Sequence, residues 1–187
     1  MRRFFVLSLA VLSACASSGR PEPATPVSET IRLNGGAAGS LTLSPSSSAG
    51  ETSVAFALDK VWSVLPTVLD TLGIPIGLLD PAQHIVGNAG FKLRRQMGGV
   101  LLSRYFNCGE TQIGPNADSY DMYLVANVHL TPASDGTTTI ETSMDASARP
   151  ISFSQAFTRC TTKGELEKRI VDGVKKRLDK MPGMGMR

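Results

Sequence analysis

The sequence predicts an α+β fold, with an antiparallel β-sheet and two main helices packed on one of its faces. From Tyr120 to Arg149 apolar and polar residues alternate in two long runs around Pro132–Gly136, which is typical of two half-buried paired strands. Asp59–Leu72 and Thr162–Lys180 instead carry apolar residues at helical spacing. Because runs of strands and helices are segregated along the chain, we expect antiparallel pairing with the helices on one face.

The register of the long hairpin follows from its apolar positions. Both inward-facing sets are even-numbered, so even residues must lie opposite even residues. A three-residue loop, Ser134–Gly136, with Gly136 in the left-handed conformation meets this condition, whereas a two-residue Asp135–Gly136 turn does not. The predicted pairs are Leu130 with Ile140, Ala126 with Met144, and His129 with Glu141.

Both helical segments carry end signals. Asp59 is expected to cap the first helix and Gly73 to end it, with a kink at Pro66. Thr162 and Glu165 are expected to form a capping box at the start of the second helix. The apolar stripe of the first helix comprises Val61, Leu65, Val68, Leu69 and Leu72, and that of the second Leu166, Ile170, Val171, Val174 and Leu178.

The remaining segments give weaker patterns. Val100–Phe106 is expected to be a short helix, Thr111–Ser119 a loop, and Phe91–Gly99 fits no regular pattern. The predicted strands are Glu29–Leu33 and Gly39–Leu43 as a hairpin, Thr52–Ala57, and Ile74–Leu79 with His84–Asn88 around a turn at Asp80–Gln83.

The N-terminus has the composition of a secretory signal. Arg2 and Arg3 precede a short apolar run, which closes on Leu12-Ser13-Ala14-Cys15. This tetrapeptide resembles the lipobox of bacterial lipoproteins, which implies cleavage before Cys15 and a thioether-linked diacylglycerol, with an acylated amine, on that residue. The alternative is a plain cleaved signal in which Cys15 is an incidental thiol. In a host with two membranes, Ala16 favours an anchor in the outer membrane facing the periplasm.

These features divide the chain into a lipoprotein signal peptide at 1–14, a flexible tether at 15–28, a single α+β periplasmic domain at 29–181 and a disordered tail at 182–187. Removal of the signal lowers the formal net charge from +3 to about +1. No basic stripe with interleaved aromatic residues is present, so we expect no nucleic-acid partner.

The two remaining cysteines form an even pair. Cys108 and Cys160 are expected to form a disulfide in an oxidising compartment. The alternatives are two buried thiols or a catalytic cysteine. Two distant cysteines and two histidines, His84 and His129, lack the spacing of a metal site, and we predict neither metal nor cofactor.

Few residues suggest chemistry. His129 and Glu141 would form an acid/base pair, but a solvated cross-strand pair is the commoner outcome. Ser103 and Cys108 are possible nucleophiles, but no histidine or carboxylate stands at a sequence spacing typical of a catalytic motif with either of them. Trp62 is expected in the core, and an exposed Trp62 would instead mark a binding surface. Six cations of the last helix, which could contact anionic headgroups, also suit the helix dipole: Lys168, Arg169, Lys175, Lys176, Arg177 and Lys180.

The first half of the domain has a second resemblance. A helix with Val61-Trp62, followed by Leu72-Gly73-Ile74, Asp80 and His84–Gly87, is similar to the repeated domain of barrel-assembly accessory lipoproteins of the BamC type. The resemblance implies the fold and no functional residue. We therefore expect a non-catalytic binding or structural accessory of the envelope, anchored in the membrane by its lipid and partnered by an envelope protein.

Two alternatives to this function stay open. A carrier of a hydrophobic ligand or lipid would enclose a large apolar cavity, which Met97, Met122 and Met144 could line. An envelope enzyme is the other alternative, although no catalytic motif supports it.

Overall fold

The computed structural model of the 187-residue chain describes residues 29–32, 40–43, 50–133, 135–152 and 157–181. Three α-helices are present in these residues: α1 (Leu58–Thr71), α2 (Asn116–Ser119) and α3 (Glu165–Asp179), with a 3-10 turn at Leu102–Arg104. The strands are β1 (Glu29–Arg32), β2 (Ser40–Leu43), β3 (Gly50–Val54), β4 (Leu78–Asp80), β5 (Ile85–Arg94), β6 (Gln96–Met97), β7 (Val100–Leu101), β8 (Phe106–Asn107), β9 (Glu110–Thr111), β10 (Gly114–Pro115), β11 (Asp121–Pro132), β12 (Thr138–Arg149) and β13 (Thr158–Thr162).

A twisted antiparallel sheet forms the centre of the domain. Its strands follow the order β7-β6-β5-β11-β12-β13-β8. β3 pairs with the first half of β12, at Thr138–Thr142, while β13 pairs with its second half, at Ala146–Ala148. β4 pairs with β5, and the described parts of the N-terminal hairpin, β1 and β2, pair antiparallel as predicted. The predicted α+β class, with an antiparallel sheet, is confirmed.

The register of the long hairpin is confirmed over its whole length. β11 and β12 pair Leu130 with Ile140, Ala126 with Met144 and His129 with Glu141. The Ala133 amide donates to the Thr137 carbonyl at 3.0 Å, and Gly136 has a φ of 75°. A three-residue loop with a left-handed glycine therefore closes the hairpin, although Ser134 itself lies outside the described residues.

The helices α1 and α3 cover the face that carries the even-numbered residues of β11 and β12. All ten predicted stripe residues of the two helices are buried. The helices pack closely where α3 has a glycine, since a Cβ at Gly173 would lie 2.7 Å from Val68 Cγ1. A single core therefore joins the sheet to both helices, and the opposite face of the sheet, here called the outer face, is left without a helix from this pair.

The end of α1 was predicted correctly, but its start was not. Gly73, at φ 82°, donates to the Asp70 carbonyl, and Ile74 donates to the Leu69 carbonyl, which together form a Schellman motif. The helix continues through Pro66. Asp59 is not the N-cap: the N-cap is Ala57, whose carbonyl already accepts the Val61 amide, so Asp59 lies in the first turn of the helix.

The predicted capping box of α3 is also wrong. Thr162 is still part of β13, opposite Phe106 of β8, so its backbone is extended rather than in a helix cap. The N-cap is Gly164, in the left-handed conformation. The Thr162 hydroxyl instead accepts from the Gly164 amide at 3.0 Å and donates to Glu167 Oε1 at 2.6 Å, while Glu165 opens the helix.

The segment without a regular pattern contains a β-bulge. β5 has two residues, Ala89 and Gly90, where β11 has only Val125, and Gly90 has a φ of 147°. The extra residue moves the inward positions of β5 from even to odd numbers, which hides the alternation. Two further predictions fail nearby: Val100–Phe106 is β7, a 3-10 turn and β8 rather than one helix, and Thr111–Ser119 contains α2.

Cys108 and Cys160 form the predicted disulfide, with Cα atoms 4.3 Å apart. They occupy the next cross-strand position after the pairs Phe106–Thr162 and Asn107–Thr161 of β8 and β13. Both cysteines are buried in the core. The disulfide therefore fixes the edge of the sheet immediately before the chain turns into α3.

The predictions for the signal peptide, the tether, Cys15, Ala16 and the tail fall outside the described residues. Within those residues, no helix combines the length and the apolar character that a membrane crossing requires.

Candidate partner-binding surface

Two rows of side chains cross the outer face of the sheet near the start of β11. One row runs from Arg94 through Asp121 to Arg149, because Asp121 is opposite both arginines in the strand register. The neighbouring row runs from Lys92 through Tyr123 to Ser147 and Arg159. We call Lys92, Arg94, Asp121, Tyr123, Arg149 and Phe157 the outer-face patch.

Asp121 organises two of the cations. Lys92 Nζ lies 2.7 Å from Asp121 Oδ2, and Arg94 contacts Asp121 Oδ1 at 3.0 Å through both Nε and Nη2. The hydrogen bond from Lys92 is the main reason that the pKa of the Asp121 carboxyl lies below its ordinary value, with smaller contributions from Arg94 against the opposing effect of burial. The Asp121 side chain is nearly buried while those of Lys92 and Arg94 are exposed, so the cations meet solvent.

Arg149 lies against two aromatic rings. Its guanidinium carbon is 4.9 Å from the Phe157 ring centroid and 6.0 Å from that of Tyr123. The two rings meet edge to face, with centroids 5.3 Å apart. Phe157 is 49% exposed, and Ile151, two residues after Arg149, is 51% exposed. A guanidinium held by rings keeps its hydrogen-bond donors free for an acceptor outside the protein.

The composition of this patch suits an interface with an acidic partner. Arg, Tyr and Phe are enriched at protein interfaces, and Arg and Tyr dominate their energetic hot spots. Three cations and a single carboxylate leave an excess of two positive charges on the patch. The arrangement can therefore bind carboxylate groups through Arg149, Arg94 and Lys92 while Phe157 covers apolar surface.

The predicted acid/base pair lies toward the other end of the outer face. His129 Nδ1 is 3.3 Å from Glu141 Oε2, and both side chains are exposed, as expected of a solvated cross-strand pair. Asn127, beside them on β11, is 4% exposed, and neither of its amide atoms has a hydrogen-bond partner in the described part of the chain.

The other sequence candidates lie elsewhere. Trp62 is half-buried against the core, and its ring meets His84 edge to face at 5.6 Å, on the helix side of the sheet and away from the outer-face patch. Cys108 is not a free nucleophile because it is in the disulfide. The Ser103 amide donates to Asp118 Oδ1 at 2.8 Å, which ties the 3-10 turn at Leu102–Arg104 to α2. The described residues contain no cluster of three or more potential metal ligands.

Sequence reasoning missed the outer-face patch. Phe157 and Tyr123 come from segments that only the β12–β13 register brings together, and the bulge in β5 concealed which side Lys92 and Arg94 face. One signal in the sequence was available: Lys92 and Arg94 stand at alternate positions, and if this segment is a strand, their side chains lie on the same face of the sheet.

Comparison with known proteins does not assign a family to this chain: no family model matches it, and neither does any curated protein.

Proposed function

We propose that this chain is a lipid-anchored envelope lipoprotein that acts as a non-catalytic binding or structural accessory on the periplasmic side of the outer membrane. The lipobox-like Leu12-Ser13-Ala14-Cys15 and the small residue Ala16 support the anchor and its location. A diacylglycerol with a third acyl chain holds a protein at a membrane almost permanently. The folded domain would then reach its partner from the end of a short tether.

The observation that carries the binding function is the half-buried Arg149, whose guanidinium lies against the rings of Tyr123 and Phe157. An exposed aromatic ring such as Phe157 beside an arginine and a tyrosine is typical of residues that a partner covers. The partner is an envelope protein with an acidic segment, because the outer-face patch carries an excess of positive charge.

The packing of three methionines supports the accessory over the carrier. Met97, Met122 and Met144 are all buried among the core residues between the sheet and the helices, with Met122 fully covered. Ordinary core packing of this kind is the commoner role of methionine. A carrier would need these side chains to open onto an apolar cavity.

The anchor is tested by replacing Cys15 with Ala and fractionating cells. Wild-type protein is expected in the outer-membrane fraction and to incorporate labelled palmitate, whereas Cys15→Ala is expected to incorporate none. Palmitate incorporation that persists in the variant contradicts the anchor.

The binding surface is tested with a photo-crosslinking amino acid placed at Phe157 in living cells. A discrete crosslinked envelope protein, identified by mass spectrometry, is expected from position 157. The matched control position is Lys176, an exposed residue of α3 on the other side of the domain. The same crosslink must also disappear in an Arg149→Glu background. Equal crosslinking from both positions, or a crosslink that survives Arg149→Glu, contradicts the proposal.

A further inference from the structure

A groove separates β3 from α3 on the helix side of the sheet. Its volume is about 410 Å³, within the range of ligand sites in proteins. The floor is formed by Gly50 and Thr52 of β3 and Thr142 of β12. The wall is formed by the N-cap Gly164 and one side of α3: Glu167, Lys168, Val171, Asp172 and Lys175.

Glu167 is the unusual residue of this groove. It is only 8% exposed, yet it carries a carboxylate. The Thr162 hydroxyl donates to its Oε1 atom at 2.6 Å, while its Oε2 atom has no hydrogen-bond partner in the described residues. A buried carboxylate oxygen without a donor is unfavourable, so this position calls for a cation or a hydrogen-bond donor from outside.

The backbone of β3 is the second component. Gly50 lies directly over Glu167, since a Cβ there would be 3.4 Å from Glu167 Cβ and 2.9 Å from Thr142 Oγ1. Within the described residues, β12 is the only strand that pairs with β3. Alternate residues of such an edge strand turn their N–H and C=O groups away from the sheet, where an added strand can pair with them.

The helix side of the groove carries further charge. In the described parts of the chain, Lys168, Asp172 and Lys175 form no ion pair. Val171 lies between them and is nearly buried, which gives the wall an apolar centre. The groove thus combines an unpaired strand edge, an apolar wall and a buried carboxylate.

We infer that this groove binds an extended peptide segment of a partner protein, which pairs with the edge of β3 and places a lysine or arginine side chain at Glu167. The main-chain pairing supplies affinity and the carboxylate selects the basic residue. The site is separate from the outer-face patch, so this inference does not depend on the proposed function.

The test uses the full-length protein in detergent and a fluorescent, amidated probe peptide, Thr-Val-Lys-Val-Thr, with binding followed by anisotropy. A second probe has norleucine in place of lysine, which keeps the length and removes the charge. Thr52→Trp fills the mouth of the groove from an exposed position. Its matched control is Ser53→Trp, because the next residue of β3 points to the outer face. Glu167→Gln removes the charge with little change of shape.

Saturable binding of the lysine probe is expected, weakened about tenfold by Glu167→Gln or by norleucine, abolished by Thr52→Trp and unchanged by Ser53→Trp. Melting curves of each variant separate loss of binding from loss of folding. The inference is overturned by three outcomes: no binding of the lysine probe up to millimolar concentration, binding unaffected by Thr52→Trp, or equal affinity for the two probes.

Discussion

Removal of the disulfide by the double substitution Cys108→Ala/Cys160→Ala is expected to destabilise the domain by about 4 kcal/mol. The bond closes a loop of 52 residues in sequence separation, and the chain-entropy relation gives about that value for a loop of this length. Because small domains unfold with only about 5–15 kcal/mol, this is a large part of the total stability.

The assay is equilibrium unfolding in urea, followed by circular dichroism, on oxidised protein and on the double variant. With a urea slope typical of a domain this size, the midpoint is expected to fall by about 2 M. The single variant Cys160→Ala serves as a control, since breaking the loop at either cysteine should cost nearly the same.

A loss below about 1 kcal/mol would refute the reasoning. It would mean that the unfolded chain is already restricted without the disulfide, or that the cross-link strains the native ladder of β8 and β13. Equal stability of the single and double variants, each well below the oxidised protein, is the result that supports it.

Three further substitutions test the fold. Gly87→Ala should destabilise by about 3 kcal/mol in a melting experiment, because its Cβ would lie 2.1 Å from the Ala126 carbonyl oxygen; an unchanged melting temperature contradicts the packing of β5 on β11. Leu65→Ala, at a fully buried position of α1, should lose about 3 kcal/mol in urea unfolding, and a loss under 1 kcal/mol would show that this helix face is not in the core. Asp121→Asn should be less stable than the parent at neutral pH, because the folded-state pKa of Asp121 is lowered; the difference should shrink as the pH falls below the ordinary carboxyl value of 3.8 and through that lowered pKa, and a difference that does not shrink as the pH is lowered contradicts this origin.

Strong alternation made the long hairpin predictable from sequence. The even positions of β11 and β12 must face one core, and the three-residue loop keeps them there, so a local pattern determined pairs as far apart in sequence as Ala126 and Met144. The apolar stripes of α1 and α3 were predictable for the same reason. In each of these strands and helices, the apolar residues fall on one face, and that face must be the buried one.

The failures occur where a long-range contact overrides a local signal. Thr162 and Glu165 have the spacing of a capping box, but pairing with Phe106 keeps Thr162 in β13 and moves the start of α3 to Gly164. In β5 the bulge at Ala89–Gly90 reverses the inward face within one strand. Gly90 and Gly164 mark these two positions locally, but a glycine alone specifies neither a bulge nor the start of a helix.

The candidate site was largely beyond sequence reasoning. Arg149 becomes distinctive only once β13 places Phe157 beside it, and Glu167 is one of several acidic residues of an ordinary amphipathic helix until its burial is known. Trp62, the residue that its type singled out, lies on the opposite side of the sheet. Reasoning from residue type selects rare residues such as the single tryptophan, whereas the outer-face patch consists of common residue types that only the folded structure brings together.

One edge of β12 is completed from both ends of the domain, and this has a consequence for the timing of folding. β3 covers its first half and β13 its second. The edge is therefore complete only when β12 has paired with one strand some 90 residues before it in the chain and with another about a dozen residues after it. If the chain is exported as the lipoprotein proposed above, its mature part would cross the inner membrane from its N-terminal end, and α3 would be the last described helix to emerge. The edge of β12 would stay open until β13 had emerged, and the face of the sheet beneath α3 would remain uncovered until α3 followed. An exported chain of this kind would complete its core only after α3 had crossed the membrane, so it would stay unfolded enough to be translocated until that point.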